Sequence, residues 1–206
     1  MFNVVIFVLL CIVTVVSCRE IQPSDNQQIC LPFNAYIIWD RSNEEDTFDV
    51  QVHYVLQIID NTPEGTSIRL DTVDEKLRNV MDTIKVNGQK QDWIHSTTNV
   101  TQRLSEYNII SYNSLKEAIS SNFQKNETVA EEIVFIVNDK SEIDDEERAF
   151  RELKRKKVFV VFHGTKSQAS KFWTNPATDK HHVLKPNENI DENKDAFLNL
   201  SCRGNS

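Results

Sequence analysis

The sequence predicts an α/β domain with a doubly wound, mostly parallel central sheet and helices on both faces. Three observations predict it. The runs Ala35–Trp39, Glu132–Val137 and Val158–Phe162 are short and almost unbroken apolar, as strands covered on both sides are. Helical-period patterns lie between them, and parallel strands require such crossovers. At the end of the first two runs the chain turns polar, at Asp40-Arg-Ser42 and Asn138-Asp139. Open α/β sheets place their sites at that end of their strands.

The chain has 206 residues, enough for one domain or at most two. Residues 1–18, MFNVVIFVLLCIVTVVSC, carry no charge. They read as a secretory signal cleaved after Ser17 or Cys18, although a basic leading region is missing. As an uncleaved anchor, a stretch of roughly 18 residues barely spans a bilayer. Val15–Cys18 also has the form of a lipoprotein signal, again without the basic region. Residues 19–29 form a short polar tail, 30–202 the domain and 203–206 a second tail. Removing the leader leaves the net charge at −8, which argues against nucleic acid and anionic membranes as partners. No second apolar stretch is long enough for stable membrane insertion.

Cys11 and Cys18 belong to the leader or its edge, which leaves Cys30 and Cys202 just outside the patterned region. An extracellular chain with one such pair bridges them, and domain termini often lie close together. Three sequons point to the same compartment: Asn99-Val-Thr101, Asn126-Glu-Thr128 and Asn199-Leu-Ser201. The expected location is secreted and extracellular.

Taken in order, Leu31–Trp39 is the first strand. Phe48, Val52, Val55, Leu56 and Ile59 recur at helical spacing, with Asp46 or Thr47 as cap. Asn61-Thr-Pro-Glu-Gly65 stops that helix. Ser67–Thr72 is a second strand. Thr72-Val-Asp-Glu75 has capping-box form, and Leu77, Val80, Met81 and Ile84 follow at helical spacing, which predicts a helix from Asp74 to Lys85. Gln91–His95 reads as a short edge strand and Thr101–Tyr107 as a turn or two of helix. Ser114-Leu-Lys-Glu117 is a second capping box, opening a helix through Phe123. Ile143, Ala149, Phe150 and Leu153 mark a helix. Asp144–Glu147 open it and Lys154–Lys157 close it, an order that complements the helix dipole. Ala169–Trp173 is a short helix, His182–Leu184 a last strand and Ile190–Phe197 a last helix.

Asp40 and Asp139 should meet at one edge of a parallel sheet. Two carboxylates there repel unless they are protonated, hydrogen-bonded or joined by a cation. Ser42 and Glu44 add oxygens, and oxygen donors without sulfur or imidazole suit Mg2+ or Ca2+. The competing reading is a solvated acidic loop of turns and caps. His163, at a strand end, reads as a packing or capping residue rather than a base. His181-His182 read as surface or strand positions and Trp39 as core. Trp93 and Trp173 fit either core or contact.

These residues together resemble a von Willebrand factor type A domain over Ala35–Leu200. Ile37-Ile-Trp-Asp-Arg-Ser42 resembles its first strand and the opening of its Asp-x-Ser-x-Ser motif. Phe48–Ile59 resembles the first helix, and Glu132–Asp139 the strand that ends in Thr-Asp-Gly. Glu146–Gly164 resembles the helix and strand that follow, and Cys30 with Cys202 the end-closing disulfide of some secreted members. The resemblance implies binding rather than catalysis: a divalent cation in a metal-ion-dependent adhesion site, shared with an acidic group of an extracellular protein partner. By that resemblance Asp40, Ser42 and Asp139 hold the ion, and Glu44 stands where a second serine is expected. Asn138 replaces the threonine of Thr-Asp-Gly, and Lys140 its glycine. The separate threonine falls at Asn113 or Ser114, and Ser114 also reads as a helix cap. Glu44 would hold the ion more firmly but weaken its pull on a partner carboxylate, and Lys140 could exclude it. Two alternatives stand beside this reading. One is a hydrolase or phosphoryl-transfer enzyme with Asp40 as nucleophile beside Asp139, though no Gly-rich phosphate loop or G-x-S-x-G elbow occurs. The other is a structural extracellular domain without a specific site.

Overall fold

The computed structural model describes residues 30–42, 45–73, 77–85, 97, 100, 108–122, 130–163, 171–185 and 190–202. Residues 1–29, the Gln91–His95 and Thr101–Tyr107 segments, Trp93, Asn99 and Asn126 lie outside them. The main sheet holds β1 (Asn34–Trp39), β2 (Ser67–Thr72), β3 (Arg78–Lys85), β5 (Glu131–Val137), β7 (Lys157–Phe162) and β8 (Val183–Leu184). Its order is β3-β2-β1-β5-β7-β8. All pairings are parallel except β2 with β3. Two two-residue strands, β4 (Ile109–Ile110) and β6 (Glu142–Ile143), make a small parallel pair of their own.

The helices are α1 (Glu45–Asn61), α2 (Tyr112–Asn122), α3 (Glu146–Leu153), α4 (Lys171–Thr174) and α5 (Ile190–Cys202), with a 3-10 turn at Lys180–His182. Successive strand residues point to opposite faces, and the core divides accordingly. Ile37, Trp39, Ile136 and Val161 pack with Phe48, Val55 and Ile58 of α1 and Phe197 of α5. Tyr36, Ile38, Phe135 and Val160 pack with Leu115 of α2, Leu153 of α3 and Trp173 of α4. Each fully buried aliphatic contributes about 1.5–3 kcal/mol. At the end of α1, Gly65 takes φ 87°, a conformation that suits glycine. A Cβ there would meet Pro32 Cγ at 3.2 Å.

One expected element changes type: residues 78–85 are strand, not helix. Their partner is β2, and five steps along it, Ser67 to Thr72, oppose seven along β3, Lys85 to Arg78. Two irregularities absorb the extra residues. They break the strict alternation of a strand, which left Leu77, Val80, Met81 and Ile84 looking helical. Several ends also move. α1 begins at Glu45, so Asp46 and Thr47 sit inside its first turn. α2 begins at Tyr112, so Ser114 is not its cap. Ile143 belongs to β6, not to α3, His182 to the 3-10 turn and not to a strand, and α5 runs on to Cys202.

The edge hairpin is held by a buried carboxylate. Asp71 is 0 % exposed and accepts from Tyr36 Oη at 2.8 Å, Asn79 Nδ2 at 2.8 Å and Arg69 Nε at 2.9 Å. Burial, with Asp71 alongside, holds the Tyr36 phenol well above its ordinary range, so it stays a donor. These bonds join β1, β2 and β3 on one face. Removing the carboxylate leaves the buried Tyr36 hydroxyl without its acceptor and the half-buried Arg69 without its counter-charge. Asp71→Ala is expected to cost about 3 kcal/mol in urea unfolding; a loss well under 1 kcal/mol would contradict this role.

Candidate functional site

The chain goes from β1 to β2 and β3 on one side, then returns to β5 on the other. The sheet therefore changes direction between β1 and β5, and the crevice at their C-terminal ends is where ligands bind in such sheets. Asp40 and Asn138 are the first residues past those two strands. Asp40 N–H still donates to Ile136 O at 2.8 Å, which continues the ladder and holds Asp40 at the rim.

Asp40 is 1 % exposed. Its Oδ1 accepts from the Ser42 N–H at 2.9 Å, an Asx turn that shapes the loop into α1. Its Oδ2 accepts from the Ser141 hydroxyl. Ser141 Oγ in turn accepts from Asn138 N–H at 2.9 Å, and Asn138 Nδ2 donates to Ser42 Oγ at 3.2 Å. Asn138 Oδ1 accepts from Lys140 N–H at 2.7 Å. The loops after β1 and β5 are thus stitched through four side chains. Trp173 Nε1 donates to Ser141 O at 2.8 Å, which ties the stitch to α4.

Asp139 lies at the same rim as Asp40, partly buried in the turn between Asn138 and Ser141. Lys140 is exposed and enters the network through its backbone. Asn113 and Ser114 lie in the first turn of α2, whose Tyr112 N–H is held by the Asp144 carboxylate. Glu44 lies outside the described residues. Sequence reasoning missed Ser141; its only signal was a hydroxyl three residues past an Asn that opens a turn.

Among the described residues, no Lys or Arg side chain pairs with Asp40, and no three His, Cys, Asp or Glu side chains cluster as metal ligands. Buried charges in proteins are paired or bound to metals. Among the described residues Asp40 has two hydrogen-bond donors and no counter-charge, and each of its oxygens retains lone-pair capacity. With the Ser42 hydroxyl beside it, this oxygen-only donor set fits a hard divalent cation in kind.

A second polar group lies under α1 at the same rim. Trp39 Nε1 donates to Gln51 Oε1 at 2.7 Å. Gln51 Nε2, Tyr54 Oη, Thr72 Oγ1 and both His163 ring nitrogens are buried without a hydrogen-bond partner among the described residues. Thr72 and His163 continue the strand face of Leu70 and Val161, and Tyr54 meets the His163 ring at 6.5 Å between centroids. Such atoms are the kind that ordered water satisfies. Burial pushes the His163 pKa down to about 3, so it packs as a neutral ring. His181 is exposed, and His182 is buried against Phe159.

Solved structures share this architecture. Proximal thread matrix protein 1 from the mussel byssus, with a zinc-occupied MIDAS motif, superposes with a TM-score of 0.64 at 13 % identity, over 84 % of this chain and 46 % of that one. A von Willebrand factor type A protein from Catenulispora acidiphila gives 0.62 at 13 %, over 83 % and 42 %. The fold is that of a von Willebrand factor type A domain. The manganese-loaded TRAP protein of Plasmodium vivax gives 0.58 at 11 %, over 82 % of this chain and 73 % of that one. The chain spans just under half the length of the mussel and Catenulispora structures. No protein-family model and no curated protein matches the sequence. In this von Willebrand factor A fold, the Asp40 loop occupies the crevice between β1 and β5.

The His163 environment makes stability depend on pH. The folded state resists protonating His163 down to about pH 3, while the unfolded chain takes a proton near 6.5. The unfolded state therefore binds more protons below 6.5, and stability falls with pH across that window. Between pH 6.5 and 4.5 the loss is expected to reach about 2–3 kcal/mol by urea unfolding. His163→Phe should flatten that dependence; an unchanged slope would contradict it.

Proposed function

We propose that this domain is a secreted protein-recognition module. It engages an extracellular protein partner through the C-terminal rim of its sheet, with a divalent cation held by Asp40 and Ser42. The observation that carries the proposal is the buried Asp40 carboxylate, at the point where the sheet changes direction, with no cationic side chain paired to it among the described residues. Glu44 and Asp139 are the further candidate ligands, with Ser114 or Asn113 for the remaining position. The zinc-occupied mussel protein and the manganese-loaded TRAP protein support a cation in kind, and the all-oxygen donor set favours Mg2+, Ca2+ or Mn2+.

When bound, such an ion offers a coordination position to a partner's carboxylate. The chain's own residues do the rest. Ser141 and the Ser42 N–H fix both oxygens of Asp40. Asn138 orients the Ser42 hydroxyl, and Trp39, stacked on Phe48 with centroids 5.4 Å apart, seats α1 behind the loop.

The secretory assignment rests on the apolar leader of residues 1–18, the three sequons and the Cys30–Cys202 disulfide, since disulfides persist in oxidising compartments. The cation is tested by melting the domain in Mg2+, Ca2+ or Mn2+. At about 100 times the dissociation constant, stabilisation is expected near 2.7 kcal/mol, and Asp40→Ala should abolish it. No shift at millimolar ion would remove the cation from the proposal, and partner capture that survives both chelation and Asp40→Ala would remove the rim.

A further inference from the structure

We infer that Asn199 is an N-glycosylation site that the folded domain closes: its sequon is open only before the last turn of α5 docks and Cys202 bonds to Cys30. The sequon Asn199-Leu-Ser201 lies wholly inside α5. A glycosyltransferase must take the asparagine amide and the hydroxyl two residues on together, as the sequon pattern itself implies. Residues two apart on a helix do not share a face. Asn199 is exposed, while Ser201 is 5 % exposed and its hydroxyl donates to Glu132 Oε2 at 2.7 Å.

Each neighbouring residue is also tied down. Leu200 O accepts from Lys157 Nζ, whose charge pairs with Glu132 Oε1 at 3.0 Å. Cys202 is bonded to Cys30, with Cα atoms 4.5 Å apart. Presenting the sequon in extended form means unwinding this turn, losing the bond from Ser201 to buried Glu132 and pulling against the disulfide. The amide nitrogen and the hydroxyl are therefore available together only in the open chain. Once a glycan is attached, the exposed position of Asn199 lets the helix dock beneath it.

In the reaction, the Asn199 amide nitrogen forms a bond to the anomeric carbon of a lipid-diphosphate-linked oligosaccharide. The bond from that carbon to the diphosphate oxygen breaks, the lipid diphosphate leaves, and the amide proton passes to the enzyme's base. Occupancy at Asn199 then records which came first, glycosyl transfer or docking of the helix end.

The inference goes beyond the recognition role, and its test does not depend on the protein's route in the cell. Purified oligosaccharyltransferase and its lipid-linked donor are offered the full chain with the disulfide closed, the same chain reduced by a dithiol, and the variant Cys30→Ser with Glu132→Ala. Asn199 occupancy is read by glycopeptide mass spectrometry. Occupancy should rise about tenfold or more in both opened chains, as local opening becomes easier. The reduced wild-type chain decides the matter if the variant misfolds. Equal occupancy in closed and opened chains would overturn the gate, and no occupancy in any of them would overturn the site. A wrong secretory assignment would show separately, as a chain retained inside cells.

Discussion

The carboxylate of Asp40 is a buried charge that no basic side chain answers among the described residues, and the rim of the sheet is arranged around it. Its burial follows from topology. A strand with parallel neighbours on both sides, and helices on both faces, ends in protein rather than in water. The residue after it must then find donors locally. The Ser42 N–H comes from its own loop and the Ser141 hydroxyl from the loop after β5, so one carboxylate fixes two loops that are far apart in sequence.

The opposite end of the sheet solves a similar problem differently. Glu131 and Glu132, at the start of β5, face Lys156 and Lys157 at the start of β7. Buried Glu132, its pKa raised by desolvation, also accepts from Ser201 of α5. Here the charges are answered by side chains, and the disulfide covers the ends. Closing a loop of 172 residues nominally contributes about 5 kcal/mol. One end of the sheet thus pairs its buried carboxylate with lysine, while the other leaves Asp40 to hydrogen bonds among the described residues. The atoms of Gln51, Tyr54, Thr72 and His163 that have no partner among the described residues lie at the Asp40 end.

Much of this was legible in the sequence where the pattern was strong. The apolar runs gave β1, β5 and β7 to within a few residues, because strands buried on both faces leave no polar interruptions. Ser67–Thr72 was read to the residue. The edge strand β3 was not legible, because its bulged pairing removes the period that identifies a strand. Helix starts at Glu45 and Tyr112 were misplaced by two or more residues, since capping patterns at Asp46, Thr47 and Ser114 occur equally well inside a first turn. At the site, Asp40 and Ser42 were visible as polar residues after an apolar run. Ser141 offered only its place in a turn, because its role depends on a partner in another loop, and no local pattern encodes that.

The central claim is that the Asp40 carboxylate is answered by a divalent cation. The most direct measurement is anomalous diffraction from crystals of the domain soaked in Mn2+, collected on and off the manganese absorption edge. The account predicts a single strong anomalous peak within bonding distance of Ser42 Oγ and beside Asp40. A clean map at saturating Mn2+, with Ser141 still bonded to Asp40, would contradict it and leave the hydrogen-bond network as the whole of the site.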